Sequence, residues 1–146
     1  MKQVAQHLQA AVDAARPRLL LLTETEAAQK PAPEKWSAKE IIGHLIDSAA
    51  NNHQRFVRAQ LGATDLQAYR YSQNQWVSTQ QYQSADWSSL VSLWYFYNTH
   101  LAHVVAAIQP EFTDRQLDVW DEPATLAYVA EDYVRHLNHH LAQIFR

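Results

Sequence analysis

The sequence predicts an all-α fold, a four-helix bundle with a long connection between helices 2 and 3. Three observations carry that prediction. Four long stretches place apolar residues at spacings of three and four, the period of an amphipathic helix. The chain has 146 residues but only two glycines and five prolines, too few turn-formers for many short strands. Between the second and third stretches lies a polar segment too long for a tight turn. Helices of this length hide their apolar stripes by packing on one another, which makes a bundle.

Helix one is expected over about residues 2–27, where Val4, Leu8, Val12, Ala15, Leu19 and Leu22 step by fours and threes. Pro17 removes a backbone donor and should kink or divide it. A break follows at Lys30-Pro31-Ala32-Pro33. Ser37 with Glu40 three residues later reads as a capping box, which opens a second helix running to about Leu61. Trp36, directly before the cap, is a candidate hydrophobic staple. From Gly62 to about Ala85 the chain reads as irregular, with Tyr69, Tyr71, Trp76 and Tyr82 among Ser, Asn and Gln. This segment is expected to be a lid or crossover carrying short helical turns, its aromatics packed on the rest of the protein or on a partner. Helix three spans about residues 87–108, with Leu90, Leu93, Trp94, Tyr97, Leu101, Val104, Val105 and Ile108 on one face, and Pro110 stops it. Helix four starts near Pro123 or Thr125 and runs almost to residue 146. Its apolar face is Leu126, Val129, Ala130, Tyr133, Leu137, Leu141 and Ile144.

Two histidines interrupt that last face. His136 and His140 are four residues apart, one turn apart on one side of a helix, where both imidazoles can reach one divalent ion. His140 falls within the apolar face and His136 at its edge, whereas His139 points to solvent. Imidazoles turned towards a core need partners, because an unpartnered buried ring costs free energy. Either neighbouring side chains supply hydrogen bonds, or a metal ion does the same work. A third imidazole from another helix would complete a three-nitrogen site with open positions for water or substrate. His44, in Gly43-His44-Leu45-Ile46-Asp47 on helix two, is the candidate. It heads a polar stripe of His44, Ser48, Asn51 and Arg55 beside the apolar stripe Ile41, Leu45, Ala49, Asn52 and Phe56. Such a stripe lines a cleft between helices or forms the solvated shoulder of one. His100, at the rim of helix three, either supports a ligand from behind or lies on the surface.

Composition narrows the function. There is no cysteine, which excludes thiolate catalysis, disulfides and cysteine-based zinc sites and fits a cytoplasmic location. The first fifteen residues show no apolar signal region, and the apolar run at 19–22 is too short for a secretory signal or a membrane span. A net charge of −3 without a basic block argues against nucleic-acid binding. The length suits a single domain over residues 1–146, large enough to bury a core without staples.

The segment Trp36-Ser37-Ala38-Lys39-Glu40-Ile41-Ile42-Gly43-His44-Leu45-Ile46-Asp47-Ser48 resembles the second-helix signature of the DinB-like superfamily of helical bundles. His136 and His140, followed by Gln143-Ile144, resemble its last-helix signature, and with the helix lengths the resemblance covers nearly the whole chain. It implies that His44, His136 and His140 are metal ligands, usually of zinc or nickel, and that the chain can form homodimers. It also implies an activity among thiol-dependent S-transferases or metal-dependent hydrolases. Ligand chemistry alone would admit zinc, nickel, iron or copper at an all-imidazole site.

Three neutral ligands leave the ion's charge largely uncompensated, which favours activating water or binding a substrate thiolate. Transfer to a low-molecular-weight thiol needs no cysteine in the protein. For hydrolysis the candidate general bases are Asp47, one turn from His44, and Asp132, one turn before His136; either can instead orient an imidazole or face water. Asn51 and Arg55 are the candidates for holding an anionic group of a small-molecule substrate, although an ordinary ion pair would also explain Arg55. The competing reading is a non-catalytic bundle or dimerisation module whose histidines, or whose metal, are structural.

Overall fold

The computed structural model describes residues 1–66 and 70–145, so Tyr69 lies outside the described residues. Six α-helices occur among them, four of them long. α1 is Lys2–Leu19, α2 Glu24–Ala28, α3 Ala38–Gln60, α4 Gln73–Thr79, α5 Trp87–Ala107 and α6 Leu126–Ile144. A two-stranded antiparallel hairpin, β1 (Gln116–Leu117) and β2 (Ala124–Thr125), leads into α6. The long helices α1, α3, α5 and α6 form the four-helix bundle. Among the described residues, no helix is long and apolar enough to cross a membrane.

Helix starts follow side-chain capping. At α3, Ser37 N–H donates to Glu40 Oε2 (2.8 Å) and Glu40 N–H to Ser37 Oγ (3.2 Å), the reciprocal box read from the sequence. Asp86 caps α5 by accepting from Ser89 N–H, and Thr125 caps α6 by accepting from Tyr128 N–H. The first helix corrects the sequence reading. Instead of one element over 2–27, α1 runs through Pro17 and stops at Leu19, and α2 begins separately. The physical reason is a second capping box: Thr23 N–H donates to Glu26 Oε2 (2.8 Å) and Glu26 N–H to Thr23 Oγ1 (3.3 Å), which fixes a new helix start. Of the apolar run between them, Leu19 is buried but Leu20 and Leu21 are exposed, so the stripe does not continue. Leu93, assigned to the buried face of the third long helix, is also exposed.

Around the bundle, α1 packs on α5 and α6, and α3 packs on the same two. Consecutive long helices α1 and α3 therefore stand diagonally, and the circuit runs α1, α5, α3, α6. Residues 20–37 and 108–125 are the two connections that cross a diagonal. The core between the helices is built on Leu8, Leu45, Phe56, Trp94, Leu101 and Leu137, all buried. One polar link is sealed within it. Tyr133 Oη donates to Asn98 Oδ1 (2.5 Å), whose amide donates to the Trp94 carbonyl (2.8 Å). Tyr133→Phe strands the Asn98 oxygen away from water, so urea denaturation is expected to show a loss of about 1–3 kcal/mol.

The segment between α3 and α5 folds back over α3. It carries α4 and a 3-10 turn at Tyr82–Ser84, matching the expectation of a crossover with short helical turns. Its start is tied down by a parallel bridge between Asp65 and Asp118: Leu66 N–H donates to the Asp118 carbonyl and Asp118 N–H to the Thr64 carbonyl. Its end is held by Lys39, a buried ammonium that donates to the Gln83 and Ala85 carbonyls and pairs with Glu24.

Candidate metal centre

α3 and α6 are neighbours, and their contact brings three imidazoles together. The Nε2 atoms of His44 and His136 stand 3.2 Å apart. The ring centroids of His44 and His140 are 4.7 Å apart and those of His136 and His140 4.5 Å. One nitrogen from each of the three lies within 4.8 Å of the others. Two ligand nitrogens at 2.0–2.1 Å from a tetrahedral ion would be separated by about 3.3 Å, close to the spacing of the first pair.

The surroundings fit a cation held by neutral imidazoles. His44 is fully buried, with 0% exposure. Burial and the neighbouring imidazoles push its pKa down to about 3, and burial pushes His140 down to about 4. His136 is lowered by burial too, although Asp132 pulls it back up. All three rings are therefore neutral near pH 7, the form that offers a lone pair. His140 Nδ1 donates to Gln143 Oε1 (3.3 Å), which leaves Nε2 as the lone-pair nitrogen. The Gln143 amide in turn donates to the exposed His139 (3.0 Å), so His139 stands outside the cluster. The Trp36 indole lies over the site, 4.9 Å from His44 and 6.1 Å from His140 between centroids.

A cavity of about 220 Å³ opens beside His136. Ser48, Asn52 and Arg55 of α3 form one wall, and Asp132 and Tyr133 of α6 another. Arg70, Tyr71 and Gln73 come from the crossover and Trp120 from the hairpin segment. The polar stripe of α3 is thus interior: His44, Ser48, Asn51 and Arg55 are all buried. It is not the solvated shoulder that the sequence alone allowed.

The two carboxylates part company here. Asp132 lines the cavity next to His136 and pairs with Arg135 (2.8 Å). Asp47 is buried, and its Oδ1 accepts from Tyr82 Oη and from the Gln80 amide, each at 2.6 Å. Burial raises its pKa despite those two donors. It makes no hydrogen bond with His44, whose Nδ1 is buried without a partner among the described residues. Asn51 donates to the Asp47 carbonyl (2.8 Å) and Asn52 to the Ser48 carbonyl (2.9 Å), each spending its amide on its own helix; of the two, Asn52 lines the cavity. His100 is exposed and its ring lies beside those of His53 and His103. Tyr82, Gln80, Tyr71, Arg70 and Trp120 were not singled out as site residues from sequence. Tyr71 and Tyr82 belong to the run of aromatics in residues 69–82, which marks that segment without marking the site; Arg70, Gln80 and Trp120 carry no sequence signal.

Residues 7–144 match the DinB superfamily. The chain belongs to that superfamily. Among solved structures it is similar to YfiT from Bacillus subtilis, described as a probable metal-dependent hydrolase with an unusual four-helix bundle topology. The TM-score is 0.84 at 22% identity, over 98% of this chain and 82% of that one. At this identity the likeness speaks for the fold. No curated protein matches the sequence.

Proposed function

We propose that this DinB superfamily protein is a metal-dependent hydrolase of a small molecule, with His44, His136 and His140 holding one zinc or nickel ion. The observation that carries the reading is the set of three neutral imidazoles within one ion's reach, one of which, His136, also lines a polar cavity. The YfiT description supports the same reaction class. A divalent ion in such a set supplies Lewis acidity, polarising a carbonyl or phosphoryl oxygen and making water nucleophilic near neutral pH.

The chain's own residues supply the rest. Gln143 fixes the ring orientation of His140, and Trp36 closes the site over His44. Asp132, on the cavity wall beside His136, is the carboxylate placed to accept a proton from attacking water. Asp47 acts through structure, tying the crossover to α3 by way of Tyr82 and Gln80.

The test compares chelator-stripped protein, the zinc- and nickel-loaded forms, and loaded His44→Ala on a panel of esters, amides, phosphoesters and thiol-plus-electrophile pairs. Turnover only in the loaded wild type is expected. Stoichiometric metal with no difference in turnover between stripped and loaded protein would mean a structural ion in a non-catalytic bundle. Turnover confined to the thiol pairs would make the protein a transferase.

A further inference from the structure

We infer that the protein holds a second divalent transition-metal ion, at a solvent-facing site formed by His53 of α3 and His100 of α5, with His103 in reach as a third ligand. The inference does not depend on the proposed hydrolase reading.

His53 follows His44 by nine residues on the same helix. That is two and a half turns, which places it about 13 Å further along the axis and on the opposite side. His44 therefore meets His136 of α6, whereas His53 meets His100 of α5, and the two histidine sets share no residue. The ring centroids of His53 and His100 are 5.3 Å apart, at an interplanar angle of 74°. Two imidazoles bound to one tetrahedral ion at about 2.0–2.1 Å place their centroids about 5.2 Å apart. The observed spacing is thus that of a ligand pair, and it is close to the 5.0 Å between the rings of His44 and His136. His103 follows one turn along α5, its ring 6.4 Å from that of His100. Both are exposed, so a side-chain rotation brings the third ring towards the same ion.

The chemistry agrees with the spacing. His53 Nδ1 stands 3.3 Å from Tyr97 Oη. With Nδ1–H donating to the phenol oxygen, Nε2 carries the lone pair, as in a ligand imidazole oriented from behind. Burial and the adjacent His100 hold the His53 pKa below its ordinary value, so the ring is neutral near pH 7. Clustered histidines are commonly explained by pairing with carboxylates, and here that explanation fails. α5 carries no Asp, Glu, Lys or Arg in its 21 residues, and one turn either side of His53 lie Ala49, Ala50, Phe56 and Val57. None of the three imidazoles forms an ion pair among the described residues. An imidazole set without carboxylates suits Zn²⁺, Ni²⁺ or Cu²⁺ and not Mg²⁺ or Ca²⁺. Because two ligands are in place and the third must move, this ion is held less tightly than one bound by His44, His136 and His140.

The experiment follows Zn²⁺ uptake by tag-free full-length protein in equilibrium dialysis against buffered free zinc, raised into the micromolar range. Two steps of one ion per chain are expected. His100→Ala and His53→Gln, the latter keeping a polar partner for Tyr97, should each weaken the second step at least tenfold and leave the first unchanged. His7→Ala, an exposed histidine of α1, is the control and should change neither step. His44→Ala should lose the tighter step and keep the weaker one, so failure of the first centre and failure of the second are distinguishable. Circular dichroism confirms that each variant is folded. A wild type that takes up no ion beyond the one lost in His44→Ala would overturn the inference. So would a second step that survives undiminished in folded His53→Gln or His100→Ala, which would leave the rings as an edge-to-face contact only.

Discussion

Replacing His140 by alanine is expected to weaken Zn²⁺ or Ni²⁺ binding by more than a hundredfold in competition with a chromophoric chelator. Replacing His139 is expected to change it by less than threefold. The two residues are adjacent in sequence, yet helix geometry turns them about 100° apart. His140 lies in the three-ring cluster and His139 is exposed beyond Gln143. Loss of a group that merely supports a ligand commonly costs about 10–100-fold in affinity, so loss of one of three direct ligands must exceed that range. Gln143→Ala, which removes the acceptor from His140 Nδ1, is expected within it. Equal losses for His139→Ala and His140→Ala would contradict the arrangement, because only one of the rings faces the cluster.

Gly43→Ala is expected to destabilise the protein by about 3 kcal/mol or more, the upper range for overpacking a filled core. Helix propensity alone predicts the opposite sign, because alanine is favoured over glycine in a helix interior by about 1 kcal/mol. The reason for the reversal is Tyr82. A Cβ at position 43 would lie 2.1–2.5 Å from the Tyr82 ring, closer than any real contact. That ring is buried, and its hydroxyl is committed to Asp47, so it cannot swing aside without breaking the tie between crossover and α3. Urea denaturation of the wild type, Gly43→Ala, Tyr82→Ala and the double variant forms a cycle. The double variant should be much less destabilised than the sum of the singles. A stabilised Gly43→Ala would show that the crossover does not rest on α3 at this point.

The long helices were legible in the sequence because each must bury a continuous stripe, and a stripe leaves a periodic record. Ser37 and Glu40 were legible as a cap for a similar reason: the box needs those two side chains at that spacing. Thr23 and Glu26 form the same box, but the leucine run just before them looked like more helix, and exposure of Leu20 and Leu21 depends on neighbours that a single stripe does not reveal. The diagonal placement of α1 and α3 is likewise a property of all four helices together. On the site, His44, His136 and His140 could be aligned because each sits on a regular helix whose phase is known. The phase argument is good to about one residue, so it does not separate Asn51 from Asn52, the one of the two that lines the cavity. Arg70, Tyr71, Tyr82 and Trp120 come from segments without a long repeat, so their convergence on the site left no pattern to read.

The most direct test of the central claim is X-ray absorption at the zinc edge of tag-free protein reconstituted with Zn²⁺ and freed of excess metal. One ion per chain with three imidazole nitrogens at about 2.0–2.1 Å, the remaining positions filled by oxygen, is the expected result. Failure to retain the ion, or an ion held by fewer than three imidazoles, would contradict the assignment of His44, His136 and His140 as the metal-binding centre.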